Sequence, residues 1–543
     1  MPVRLWTWAI AAILVVGGGF SARADEEGLS DRFELAPETS LFSVELDGSF
    51  RWRTELWKDI DLGLYPFHNA WGIMPPLGSD SGSSGQPIRE TTDIRFQLKP
   101  SLHISERATV HSTIDLFSVG AGSGGFSDIA TQIGNAYGVP LPGDFGSPLE
   151  SASIRHLWVD IRLFHLLTIQ LGRVAAHWGM GILENDGRDL DGDGGDALDG
   201  VTFRVNLPDG MWGSVTLDWP LEGAQVQSPF APWGTTYDIG DKDDIWQWRI
   251  RFASEAQNTQ APIQFSWGVY ARFLMQEYSS PGGDSPSGGC VADYPFQSVY
   301  NCDEVFWRDA FVMTPDAWMK LTARLAPDYW LHLEAEIVGR YGTMTATQRF
   351  SGKDSGKTLY GVAGAARVTL ETPIIEAEVE FGAASGDTGS QAFGVLDRPV
   401  VAEPDDSQWE QSPVASNATI SSFAFNPGYR VDQILFRRGV GTVTNAFYVK
   451  PRFRYIPLPI GDDGGLWVQA SVMYAQAFVA ESTPGNATGL GVETDLTVGL
   501  DLGSHVQARL LGAVLVPLSA IKDGSYIDNL LPWTGRFILS FSF

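Results

Sequence analysis

Residues 44–57 read VELDGSFRWRTELW. Val44, Leu46, Phe50, Trp52 and Leu56 fall on one side of the alternation; Glu45, Asp47, Ser49, Arg51, Arg53 and Glu55 fall on the other. Successive side chains of a strand point to opposite faces, so the stretch predicts an amphipathic β-strand. A soluble sandwich would bury the apolar face. A membrane barrel turns that face to lipid and the charged face inward. One strand does not choose between them.

The rest of the chain does. The same alternation predicts strands at 44–57, 93–104, 108–117, 153–162, 166–173, 200–207, 212–219, 244–253 and 262–274. It continues at 317–325, 330–341, 359–370, 374–384, 446–456, 466–477, 490–502, 506–515 and 533–543. These are eighteen segments, and their connections alternate between 12–61 and 3–9 residues. Long loops at one end and short turns at the other are the asymmetry of outer-membrane barrels. The expected fold is therefore all-β, a closed antiparallel transmembrane barrel over 44–543. Residues 433–443 could add a further pair and raise the count to twenty.

Both chain ends agree. Trp533, Gly535, Phe537, Leu539, Phe541 and Phe543 alternate with Thr534, Arg536, Ile538, Ser540 and Ser542. A last strand of alternating aromatics ending in Phe resembles the segment that the barrel assembly machinery reads in outer-membrane proteins. At the other end, Arg4, the apolar run Leu5–Phe20 and the small-residue site Ala22-Arg23-Ala24 predict a secretory signal peptide over 1–24. Residues 25–43 are then a short acidic periplasmic segment, too small for a folded plug. The compartment implied is the bacterial outer membrane, with lipid and lipopolysaccharide as neighbours.

The net charge of −28 carries no dominant basic patch, which argues against nucleic acid as a partner. Cys290 and Cys302 are the two cysteines, and an oxidising compartment predicts one local disulfide between them.

Turning the polar faces inward gives a charged lumen. Glu376, Glu378 and Glu380 on one segment would oppose Lys450, Arg452 and Arg454 on the next as a cross-strand ladder. Arg249, Arg251, Arg272 and Arg509 join the lining, and Arg51, Arg53, Arg95 and Lys99 meet Arg536 where the barrel closes. Mixed signs give no ion preference. Trp57, Trp158, Trp219, Trp246, Trp330, Trp467 and Trp533 lie at strand ends, where interfacial girdles are expected. Loop tryptophans such as Trp71, Trp178, Trp233 and Trp409 read as loop packing or as stacking platforms for sugars.

The third long connection is acidic. Asp189, Asp191 and Asp193 followed by Gly194 match the opening of a calcium loop, with Asp196 or Asp199 replacing the missing bidentate Glu. The alternative is a solvated acidic loop.

From about residue 44 to 543 the chain resembles eighteen-stranded porins. In many porins the third outside loop folds inward and narrows the channel, so the resemblance implies a constriction here. Leu171-Gly172-Arg173 with Trp178-Gly179-Met180-Gly181 also looks like the Gly-Arg strand of polysaccharide-export porins. No nucleophile elbow and no zinc-protease motif occur, and His103, His111, His156 and His332 read as lumen wall. The expected activity is passage of small hydrophilic solutes, without catalysis. A loop-plugged surface-binding barrel is the alternative, and an outer-membrane enzyme the third.

Overall fold

The computed structural model describes residues 42–60, 88–119, 152–163, 166–192, 195–219, 246–257, 261–279, 306–347, 354–388, 419–460, 464–503, 505–522 and 531–543. The signal-peptide segment, Cys290, Cys302 and Asp193 lie outside these residues.

The first strands are β1 (Ser43–Lys58), β2 (Arg89–Ser105), β3 (Ala108–Val119), β4 (Ala152–Leu163), β5 (Leu167–Ala175) and β6 (Ala197–Asn206). Next come β7 (Met211–Asp218), β8 (Trp246–Ser254), β9 (Ile263–Ser279), β10 (Phe306–Ala326), β11 (Tyr329–Thr347), β12 (Asp354–Glu371) and β13 (Ile375–Ala384). The last are β14 (Thr419–Ile420), β15 (Ala446–Ile460), β16 (Gly464–Ala477), β17 (Gly489–Leu502), β18 (Val506–Pro517) and β19 (Trp533–Ser542). Neighbours in sequence pair antiparallel around the ring, with β13 pairing directly with β15 and β19 with β1. The two-residue β14 lies parallel to β12 and is not part of the wall. The wall is thus a closed antiparallel barrel of eighteen strands, each matching one alternating segment of the sequence.

Closure leaves no open edge, whose unpaired backbone groups would each cost several kcal/mol in hydrocarbon. The seam extends to the last residue. Phe543 exchanges backbone hydrogen bonds with Gly48 at 2.8 and 3.0 Å, and its ring stacks on Phe96. A Cβ on Gly48 would sit 2.3 Å from that ring, so a side chain there would have to push the ring aside.

Outward positions are apolar and uncovered: Trp52, Ile94, Phe203, Ile250, Phe265, Ile337, Phe381, Leu496, Leu510 and Phe537 are all exposed. Such a belt around a closed barrel is a lipid-facing surface, so the barrel spans a membrane. Inward positions carry the charge. Arg51, Arg53, Glu55, Asp93, Arg249, Asp316, Glu334, Glu336, Glu493 and Arg536 are each buried inside the ring.

Several strands run past their sequence limits, β10, β11 and β12 among them. β10 begins at Phe306, because Pro315 stays within the strand opposite Ala271 and does not end it. β11 and β12 continue to Thr347 and from Asp354, so their connection shrinks to 348–353 and the clean sorting of loop lengths does not hold there. The segment 433–443 adds no strand pair; it contains a helical turn at Leu435–Gly439.

Candidate functional site

The third long loop (176–196) leaves β5 and folds into the barrel. Trp178 Nε1 donates to Asp316 of β10 at 2.8 Å. The Met180 and Gly181 amides donate to Glu336 of β11 at 2.5 and 3.1 Å. Gly179 makes this turn possible: its φ is +56°, and a Cβ there would lie 2.6 Å from the Glu336 carboxylate. On β9, Gly268 leaves the slot that the Trp178 indole fills. The next anchor is Glu184. It accepts from Arg251 and the Tyr270 hydroxyl at 2.5 Å each and pairs with Arg249 at 2.9 Å. Burial alone would raise this carboxyl, but Arg249 and Arg251 overcome it and hold Glu184 at about 2.

The loop then crosses to the far side of the ring. Asp191 meets Arg53 of β1 at 2.8 Å, Arg536 of β19 at 2.5 Å and Arg437 of the seventh long loop at 2.5 Å. Burial pushes the Asp191 carboxyl up, yet these arginines and Arg430 keep it well below the usual carboxylate range.

The seventh long loop joins β13 to β15, and its described part, 419–445, also lies inside the barrel. Glu493 of β17 accepts from the Gln433, Ile434 and Leu435 amides at 2.8–3.0 Å. Asp432 caps the helical turn through the Phe436 and Arg437 amides. The two loops also hold each other. The Asn426 amide donates to the Ile182 carbonyl at 2.7 Å, and its side chain donates to Asp196 at 2.5 Å.

Between them lies a dry cluster. Trp178, Met180, Ile182, Phe423, Phe425, Ile434, Leu435, Phe436 and Val443 pack together and against Ala363, Ala365, Ala384, Ala446, Ala475, Ala477 and Ala513 of the wall. Small inward residues leave room for the loops. Burying each large side chain stabilises the arrangement by about 1.5–3 kcal/mol, so the pair of loops behaves as a folded insert.

The expected lining residues all lie on inward faces, in three groups. Arg51, Arg53, Arg95 and Arg536 gather at the seam around residues 191–192. Lys99 lies further along β2, opposite Asp47. Arg249 and Arg251 hold Glu184, with Arg272 in register beside Arg249. The expected ladder forms in register, with Glu376 opposite Arg454, Glu378 opposite Arg452 and Glu380 opposite Lys450. Two rungs pair, at 3.0 and 2.7 Å. The third is diverted to the insert: Glu380 accepts from Tyr429 and Tyr448, and Lys450 donates to the Val431 carbonyl. Arg509 lies over Trp467 together with Arg454.

The described acidic residues of this stretch do not converge. Asp191 faces arginines, Asp196 accepts from Asn185 and Asn426, Asp199 pairs with Arg173 at 2.6 Å, and the Asp189 carbonyl accepts from Gly192. Among the described residues no group of three or more His, Cys, Asp or Glu could hold a metal ion.

The tryptophan girdle needs correction. Trp246 is outward and exposed, and Trp219 packs on it. Trp57, Trp158, Trp330 and Trp467 instead face the lumen, under Arg438, His111, Arg324 and the Arg454–Arg509 pair. Their sequence parity is that of the charged face, a signal that position at a strand end had masked. Trp178 is buried loop packing. His111 bridges Ser101 and Asp160, and His332 bridges Thr322 and Glu371. That repeated hydroxyl–imidazole–carboxylate row reads as a hydrogen-bonded wall. Glu55 and Glu493 were legible as inward charges; Glu184, Asp316, Glu336, Arg430 and Arg437 were not assigned a role from the sequence. The strand members among them had the inward parity; the loop members had no periodic signal.

No protein-family model matches the chain, and no curated protein matches it. Three proteins of Pseudomonas aeruginosa are among the solved structures it is similar to. OpdQ has a TM-score of 0.45 at 10% identity, covering 92% of this chain and 98% of that one. OccK9 (OpdG) has 0.47 at 11%, with coverage of 92% and 98%. OpdK, solved with vanillate, has 0.45 at 10%, again with 92% and 98%.

Proposed function

We propose that this protein is an outer-membrane channel through which small hydrophilic solutes pass a constriction made by two infolded loops. One observation carries the reading. Inside a closed, lipid-facing barrel, the third and seventh long loops are fixed to a charged wall by buried ion pairs and by amide–carboxylate bonds. Charged side chains facing a lumen need water or partners there. The short turns would lie in the periplasm, and the Phe543 end would be the segment read by the assembly machinery. The dry cluster supports a second reading, a barrel sealed by its own loops that works through its surface.

Planar-bilayer recording on the refolded mature protein separates them. Small, stable conductance steps are expected, and the reversal potential under a salt gradient gives the ion preference. A folded barrel that never conducts overturns the channel and leaves the sealed barrel.

A further inference from the structure

Six arginines contact two residues. Arg51 and Arg95 donate to the Gly192 carbonyl at 2.7 and 3.0 Å. Arg430 donates to the Asp191 carbonyl. Arg53, Arg437 and Arg536 bind the two Asp191 carboxylate oxygens at 2.8, 2.5 and 2.5 Å. The loop tip therefore offers four oxygen atoms, two carboxylate and two carbonyl, to guanidinium groups drawn from β1, β2, β19 and the seventh loop.

The four wall arginines, Arg51, Arg53, Arg95 and Arg536, do not depend on the tip for their positions. Asp93 holds Arg51 and Arg53 at 3.0 and 2.6 Å. Glu55 holds Arg536 and Arg438 at 2.7 Å each. Asp115 holds Arg95 at 3.3 Å. A cage buttressed from the wall is preorganised, so it persists when its occupant leaves.

The tip, by contrast, is hooked and not packed. The loop base is closed by the Asp196 amide on the Asn185 carbonyl at 2.7 Å, and residues before it are anchored at Glu184 and Trp178. No side chain of Leu190 or its neighbours at 186–191 is buried in the apolar cluster. Electrostatics holds the tip, and electrostatics can be competed for.

The geometry points to an oxoanion site: the arginine cage binds a tetrahedral anion of the phosphate class, and the Asp191–Gly192 tip occupies it until that anion displaces it. A phosphate or phosphomonoester likewise presents several anionic oxygens, and guanidinium groups bind such oxygens through charge-assisted hydrogen bonds. Displacement frees the tip from the far wall and widens the constriction. That consequence rests on the channel reading; the binding does not.

The test uses the full mature protein refolded in detergent, with inorganic phosphate titrated calorimetrically at constant ionic strength. Acetate serves as the planar control and glycerol 3-phosphate as the ester. Saturable phosphate heat is expected, weak in the native protein because Asp191 competes. Asp191→Asn keeps the shape of the tip, removes its charge and should tighten phosphate binding at least tenfold. Arg437→Gln should weaken it at least tenfold. Heat-modifiable gel mobility shows that each variant is folded, and the native titration stands should a variant fail. No phosphate heat in the native protein and in Asp191→Asn, or equal affinity in the two, overturns the site. So does acetate binding as well as phosphate. Tighter glycerol 3-phosphate assigns the ester, tighter phosphate the free ion. In the bilayer, phosphate should raise native conductance and leave Asp191→Asn, already open, unchanged. A barrel that binds phosphate without conducting loses the channel and keeps the site.

Discussion

Along β15 the inward side chains are Ala446 and Tyr448 near the long loop, then Lys450, Arg452 and Arg454 toward the short turn. Its neighbours change at the same height. β13 runs from Ala384 and Gly382 to Glu380, Glu378 and Glu376, and β16 from Ala477, Ala475 and Met473 to Ser471 and Gln469. Alternation fixes which face looks inward. What that face must touch fixes the residue. Where the folded loops press on the wall it is small and apolar; toward the short turns it is charged.

The largest effect should come from charging the dry half. Ile434 is fully buried between the loops and the wall. Ile434→Asp places an unpaired carboxylate there, at about 3 kcal/mol or more. The eighteen-strand wall does not depend on Ile434, so heat-modifiable mobility should persist. Conductance should rise severalfold, and a protease should cut within 421–445. An unchanged conductance would show that the insert does not obstruct the pathway.

A smaller effect is expected at a polar anchor. Glu336→Ala leaves the Met180 and Gly181 amides without their acceptor, about 1–3 kcal/mol for each buried donor. Faster hydrogen exchange confined to 178–183 is the expected readout. Exchange spreading through 421–445 would mean that the loops unfold as one unit.

The sequence made the wall legible and the insert only partly so. Strands announce themselves because lipid on one face and polar groups on the other force a strict period of two. Pro315 hid the start of β10, since a proline usually ends a strand. The Asp189–Asp199 stretch was legible as unusual, but acidic spacing does not reveal partners contributed by β1, β19 and a loop more than two hundred residues away. Arg430 and Arg437 had no period to mark them, and only folding brings them to Asp191.

pH should divide the arginine-paired anchors Glu184 and Asp191 from Asp196 and Asp432, the carboxyls that burial raises. Burial raises Asp196 to about 6 and Asp432 to about 7, against the bonds each accepts from backbone amides. Asp432 is faced by the Phe436 and Arg437 amides and by Asp495 and Lys450. A carboxyl with a raised folded pKa stabilises the fold fully below its unfolded value near 4, and that stabilisation is lost as pH rises through the folded value. Asp191 and Glu184 have the opposite sign: their contribution is present above about 4 and fades as pH falls. Raising pH from 5 to 8 should therefore increase cleavage within 421–445 and leave the Glu184 and Asp191 contacts intact. Protection at Glu184 and Asp191 that changed in parallel with 421–445 would break the distinction.

The smallest stability effect belongs to the wet half. Arg452 pairs with Glu376 and Glu378 at 2.6 and 2.7 Å, and its side chain keeps about a fifth of its surface open to the lumen. Water screens such a rung, so Arg452→Gln should cost about 1 kcal/mol or less. Its influence on ions is larger, because the change leaves two carboxylates on the wall with one fewer cation. The reversal potential should move toward cations while melting and single-channel lifetime stay near native values. The equivalent change at Lys450, whose amine is bound to the Val431 carbonyl of the insert, should do the reverse and alter loop stability more than selectivity. If both substitutions shift selectivity alike, the insert does not shield the upper rung, and the boundary between dry and wet halves lies higher than Tyr448.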